Sequence, residues 1–150
     1  MEQYIKKFDE LTIYELYDIL KLRSQVFVVE QQINCQDLDG YDLITIHIFL
    51  KKESEIVAYL RVFPKNTKYK EVSMGRVATL IRKKGIGSEL LRTAIDYVFN
   101  VLKDDLIRIS AQTHAIGFYE KHGFKSQGEI YLDEGIEHID MYLKKEDYQV

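Results

Sequence analysis

Val77-Ala78-Thr79-Leu80-Ile81-Arg82-Lys83-Lys84-Gly85-Ile86-Gly87-Ser88 is the stretch on which the reading of this chain turns. An apolar, strand-like run from Val72 to Thr79 enters a short basic loop with two glycines, and the loop opens into an amphipathic helix. Backbone N–H groups at a helix start have no partner within the helix, and the helix dipole adds partial positive charge there. Gly85 and Gly87 lack a Cβ, so a ligand can come close to the backbone. Arg82, Lys83 and Lys84 set cations beside the same donors. The combination reads as a phosphate-binding turn. The alternative is a basic turn that merely caps a surface helix, and this stretch alone does not separate the two.

The spacing is Arg-x-x-Gly-x-Gly, which is neither the Gly-x-Gly-x-x-Gly of dinucleotide sites nor a P-loop. The chain around it has 150 residues, 46 % apolar and 30 % charged, the size and composition of one globular domain, residues 1–150. A net charge of −3 argues against a general polyanion binder, so no nucleic-acid partner is expected. The basic cluster at 82–84 suits a small phosphorylated ligand. Cys35 is the only cysteine, which excludes an intrachain disulfide and fits a reducing compartment. No run approaches the ~20 apolar residues of a membrane span, and the N-terminus lacks a signal-peptide core. A cytoplasmic, soluble protein without membrane contact is the expectation.

Further out, Tyr4 to Phe8 reads as a strand. Thr12-Ile13-Tyr14-Glu15 matches a capping box that starts a helix. Leu16, Ile19, Leu20, Arg23, Val26, Phe27 and Glu30 follow at helical spacing, with Arg23 and Glu30 near the apolar stripe, either as surface charges or as walls of a polar pocket. Asp37, Asp39 and Asp42 lack the register of an EF-hand loop, so no metal is expected; an acidic loop facing a cationic substrate or solvent is. Ile44–Lys51 and Ile56–Phe63 form a hairpin pattern, and Glu71–Thr79 is the strand that enters the phosphate loop. Helix 85–102, strand 106–111, helix 113–122 and a final hairpin, 125–132 with 136–143, complete the chain. The order β α β β β α β α β β predicts an α/β fold, a mixed and mostly antiparallel sheet with helices on both faces.

A second motif, Gln112-Thr113-His114-Ala115-Ile116-Gly117-Phe118-Tyr119-Glu120-Lys121-His122-Gly123-Phe124, follows the strand after the long helix. Together the two motifs resemble the signatures of the GNAT superfamily of N-acetyltransferases, Gln/Arg-x-x-Gly-x-Gly/Ala and Asn-x-x-Ala-x-x-Phe-Tyr-Glu-x-x-Gly-Phe. Leu22 to Gln31, Asp37-Leu38-Asp39-Gly40, Gly75-Arg76-Val77 and His138 resemble the ElaA-type branch. Three positions depart from the pattern: Gln112 replaces Asn, Thr79 stands where many relatives have Pro, and His122 stands where Leu is frequent.

The resemblance implies the GNAT acyl-CoA N-acyltransferase fold and transfer of an acetyl group from acetyl-CoA to an amine-bearing acceptor. A lysine-like amine, with pKa ~10.4, must lose its proton before it attacks the thioester. The resemblance implies that Val77, Ala78 and Thr79 bind the pantetheine arm as an added strand, beside a β-bulge whose N–H near Val77 faces the thioester carbonyl. It implies that Arg82, Lys83, Lys84, Gly85, Ile86, Gly87 and Ser88 bind the pyrophosphate, that Gln112 touches the cofactor, and that Tyr119 protonates the departing thiolate. Glu71 is a candidate general base, with Glu30 and His138 beside it, and some relatives use a water relay. Glu30, Arg61 and His138 are candidates for the acceptor pocket. Related domains are often dimers, which makes a homodimer an expectation. A silent acyl-CoA-binding sensor and an acyl-homoserine lactone synthase are the competing readings.

Overall fold

The computed structural model describes residues 1–33, 36–80 and 85–149. Cys35, Arg82, Lys83 and Lys84 lie outside the described residues. Among the described residues seven strands form one sheet: β1 (Glu2–Lys7), β2 (Ile46–Lys52), β3 (Glu55–Phe63), β4 (Val72–Thr79), β5 (Leu106–Gln112), β6 (Lys125–Asp133) and β7 (Ile136–Lys144). Their spatial order is β1-β2-β3-β4-β5-β7-β6. The β4–β5 pair is parallel and the other neighbours are antiparallel. This is the mixed α/β sheet expected from the element order.

Helix α1 (Ile13–Arg23) starts on the expected capping box. Thr12 Oγ1 accepts from the Glu15 N–H at 3.0 Å, and Glu15 Oε1 accepts from the Thr12 N–H at 3.0 Å. Ile19, Leu22 and Val26 then pack on Phe49, Tyr59 and Ala78 on one face of the sheet. Helix α2 (Ile86–Asn100) covers the other face, with Leu90, Leu91, Ala94, Ile95 and Val98 against Ile48, Leu50, Ala58, Leu60 and Ile107. Because side chains alternate along a strand, one strand serves both helices: Tyr59 goes to α1, Ala58 and Leu60 to α2. Continuous apolar runs such as Ile56–Leu60 are the sequence signature of strands buried on both faces.

Beyond α1 the helix widens into a π-helical segment, Ser24–Glu30, in which Gln31 N–H reaches back to Val26 O at 3.1 Å. The expected helix 113–122 is a 3₁₀ turn, Thr113–Ala115, followed by the short α3, Ile116–Glu120. Gly123 ends it with φ +99°, as the turn after a helix requires. A Cβ at Gly123 would lie 2.9 Å from the Asp147 carbonyl oxygen and 3.1 Å from Leu143 Cδ1. Gly123→Ala should therefore lower stability by about 1–3 kcal/mol, from left-handed strain plus the clash. Gly117 in α3 has open space around its Cα, and Gly117→Ala should be neutral or slightly stabilising. Urea midpoints of the two variants check the contrast; equal midpoints would refute it.

Candidate functional site

The two central strands part almost as soon as they meet. Only Val72–Ile107 and Ser73–Arg108 pair across β4 and β5. Past Ser73 the strands diverge, and a crevice of ≈ 270 Å³ opens between them. Met74, Val77 and Ile109, which face the α2 core, line it together with Gly75, Ser110 and His138. The crevice thus passes through the sheet from one helix layer to the other.

A β-bulge on β4 shapes one wall. Arg61 pairs with Gly75 and Tyr59 with Ala78, so Leu60 alone on β3 opposes both Arg76 and Val77. Arg76 takes up the extra residue with φ +52°. A left-handed non-glycine residue costs roughly 1–2 kcal/mol and persists only where its surroundings hold it. The bulge lets Met74 and Val77, three apart, both pack towards α2. It also sets which backbone groups look outward. Leu80 N–H donates to Val57 O at 2.9 Å, and bonded pairs alternate along an antiparallel ladder. Ala78 therefore turns its N–H and C=O to β3, while Thr79 and Val77 turn theirs towards the side β5 has left.

This sorts the expected cofactor residues. Val77 lines the crevice, and Thr79 offers backbone groups beside it. Ala78 does not: it is 1 % exposed, its side chain packs under α1 and its backbone belongs to the β3 ladder. Gly85, φ +78°, is the N-cap of α2 and supplies no side-chain cap to the first-turn N–H groups of Ile86, Gly87 and Ser88. The Ile86 side chain itself is in the core, so only its backbone is available. Ser88 Oγ is already bonded to His122 Nε2 at 3.1 Å. Gln112 and Tyr119 both line the crevice. Gln112 Nε2 donates to Gln31 at 3.4 Å, and its carbonyl oxygen accepts from His114 Nε2 at 2.6 Å. Tyr119 is held edge-on against Phe118 and Phe124, and burial pushes its phenol up to about 12.

The expected acceptor residues separate more sharply. Glu71 stands at the closed end of the β4–β5 pair, outside the crevice lining, 3.5 Å from the Arg108 guanidinium; it is no base for chemistry in the crevice. Arg61 is 1 % exposed and bonds Asp39 and Asp42, so it lines no acceptor pocket. Glu30 is exposed, accepts from Gln25 Nε2 at 3.4 Å and is not among the lining residues, although Phe27 and Gln31 beside it are. His138 does line the crevice. Its Nδ1–H donates to Ile136 O at 2.8 Å, which leaves the lone pair on Nε2. Tyr131 stacks on the His138 ring and donates to Asp140 at 2.7 Å while also bonding Ser110. The turn residues Asp133 and Glu134 reach the crevice mouth, and nothing in their local pattern beyond a turn announces it.

Along one wall of the crevice, starting from Asp37 and Arg76 in its lining, runs a group of charges whose role the local sequence pattern does not reveal. Asp37, Asp39 and Asp42 pair with three arginines of their own chain, with Asp42 buried, Asp37 half-buried at the crevice and Asp39 still open to solvent. Arg23, fully buried instead of rimming its helix, bonds Asp37 at 3.0 Å and Asp42 at 2.7 Å. Arg76 bonds Asp37 at 2.7 Å and Asp39 at 3.4 Å, and Arg61 holds Asp39 and Asp42. The visible signal was three arginines set in apolar runs and three closely spaced aspartates. Burial opposes the Arg23 charge, but the bond to Asp42 and the fields of Tyr59 and Asp37 outweigh it and raise its pKa. His47, which donates Nε2–H to Asp42 O and bonds the Tyr59 hydroxyl through Nδ1, has its pKa lowered chiefly by burial. Among the described residues no group of three or more His, Cys, Asp or Glu is arranged to hold a metal, and no helix is long and apolar enough to cross a membrane.

Burial works to raise the Asp39 pKa, yet the bond and charge of Arg61, the Tyr41 N–H and Arg76 bring it down to about 2. A folded-state pKa below the unfolded ~3.9 stabilises above pH 4, and that contribution is lost as pH falls towards 2. Thermal stability should thus fall between pH 4 and pH 2. Arg61→Ala should cost about 3 kcal/mol by leaving Asp39 short of a partner, and should flatten that acid slope. An unchanged slope in Arg61→Ala would contradict the assignment.

Residues 24–145 match the family model described as an acetyltransferase (GNAT) domain. A UPF0039 protein of Synechocystis is 37 % identical over 142 residues, 93 % of this chain and 92 % of that protein. Protein ElaA of Escherichia coli is 36 % identical over 136 residues, 88 % of this chain and 89 % of that protein. The ElaA crystal structure superposes with a TM-score of 0.88 at 33 % identity, covering 95 % of this chain and 99 % of that one. An acyl-CoA N-acyltransferase from Pseudomonas aeruginosa superposes with a TM-score of 0.89 at 34 % identity, with the same coverage.

Proposed function

The chain belongs to the GNAT acetyltransferase family, in its ElaA-like branch, and from that premise we propose that this acyltransferase moves the acetyl group of acetyl-CoA to a primary amine of a small molecule or protein. The parting of β4 from β5 carries the reading. An extended pantetheine arm could lie along β4 as an added strand, bonded to the outward backbone groups of Val77 and Thr79. The pyrophosphate would meet the uncapped N–H groups of Ile86, Gly87 and Ser88, where the helix dipole favours negative charge. The mouth carries Asp133 and Glu134, which would draw an ammonium inwards.

The chemistry we propose uses three groups. His138 Nε2 takes the amine proton, directly or through a water, and replaces Glu71 as candidate base. The amine nitrogen attacks the thioester carbonyl, and the bulge N–H at Val77 donates to the oxyanion. As the C–S bond breaks, Tyr119 donates to the sulfur. A phenol at about 12 is a weaker acid than a thiol at ~8.5, so its main contribution is a hydrogen bond to developing negative charge.

Tyr119→Phe keeps the ring and removes the donor. It should lower kcat by about ten- to a hundred-fold and leave acetyl-CoA affinity nearly unchanged. Gly85→Val forces a β-branched residue to φ +78° and should weaken CoA binding more than about tenfold. Steady-state thiol release across an amine panel and calorimetric CoA titration measure the two effects. CoA binding with no turnover on any amine would overturn the catalytic reading, and unchanged affinity in Gly85→Val would overturn the binding site.

A further inference from the structure

Arg76 sits in the one place on β4 where a glycine would be easier to accommodate. Its φ of +52° disfavours any side chain, yet the neighbour at 75 is the glycine, without positive φ. The guanidinium shows what holds the arginine there. Nε donates to Asp37 Oδ1 at 2.7 Å, Nη2 to the Asp37 carbonyl at 3.0 Å and to Asp39 Oδ2 at 3.4 Å. The other Asp37 oxygen and the same carbonyl accept from Arg23 Nε and Nη2, both at 3.0 Å. Arg23 is buried at the start of the π-helical segment that carries Phe27 to the crevice. Asp37 therefore ties the π-helical segment to the bulge.

We infer that Arg76 is a positioning residue: its fork on Asp37 locks the β4 bulge, and so aims the Val77 N–H at the reacting carbonyl. The inference rests on the acyl-transfer reading and deepens it. The fork needs a planar, two-edged donor, which lysine does not offer. Loss of the fork leaves Asp37 paired with Arg23, so no carboxylate is stranded and the fold survives.

Three variants separate aiming from scaffolding. Arg76→Gly permits the left-handed backbone and removes the strut. Its melting temperature should stay near wild type and CoA affinity within about twofold, while kcat falls about ten- to a hundred-fold, the scale of a misaimed donor. Arg76→Lys, with charge but no fork, should fall between wild type and Arg76→Gly. Arg76→Gln should match the kcat loss of Arg76→Gly with an added drop in melting temperature. Unchanged kcat in Arg76→Gly, or equal losses in kcat and CoA affinity, would overturn the inference. Amide exchange at Ala78, which bonds to β3 directly after the bulge, gives a readout that needs no turnover. Exchange about tenfold faster in Arg76→Gly, with α2 unchanged, supports the strut; unchanged exchange overturns it even if wild type turns over no acceptor. Absent wild-type turnover with any amine would by itself overturn only the acyl-transfer reading.

Discussion

A strand that loses its neighbour must do something with its backbone. β4 is bonded to β3 along its length but to β5 only at Val72 and Ser73. From there on, one edge of β4 runs through the middle of the sheet with its polar groups turned to an open crevice. Buried N–H and C=O groups are rarely left without partners. Such an edge is suited to an extended ligand that bonds as a strand does. Tyr119, Gln112 and His138 converge on the same gap because they stand on β5, on β7 and on the helix that follows β5.

The gap needs walls that do not close. The apolar α2 layer supplies one, with Met74, Val77 and Ile109 fixed to the larger core. The other is ionic. Three arginines and three aspartates balance in charge beneath the sheet, and most of their polar atoms are bonded. Buried ion pairs add little net stability over an apolar core, but removing the buried Arg23 or Arg61 would leave charge uncompensated, whereas the half-buried Arg76 leaves Asp37 with Arg23. Directional bonds also fix loop 36–42 in one arrangement, which apolar packing of so short a loop does not.

Elements, their order and the glycine at the start of α2 were legible in the linear pattern. Thr12 and Glu15 announced α1, the run Val72–Thr79 into Gly85 announced β4 and α2, and Phe118-Tyr119 with Gly123 announced the second motif. Each signal is local, a matter of capping, periodicity or a missing Cβ within a few residues. The structure keeps Glu71, Arg61 and Ala78 out of the crevice lining for one shared reason. Their position along a strand says which elements they belong to, but not which edge their backbone faces or which charges reach them.

Those questions belong to register and to contacts between distant residues. Asp37 and Arg76 are 39 positions apart, and no pattern in either segment predicts their bond. The extra residue in β4 reverses the facing of everything after it, since side chains alternate with period two. Sequence alone therefore determined which segments are strands and helices and in what order they follow. Tertiary structure alone decided which side chains meet in the crevice, because a single bulge and a set of long-range ion pairs set the register, and the register sets the face.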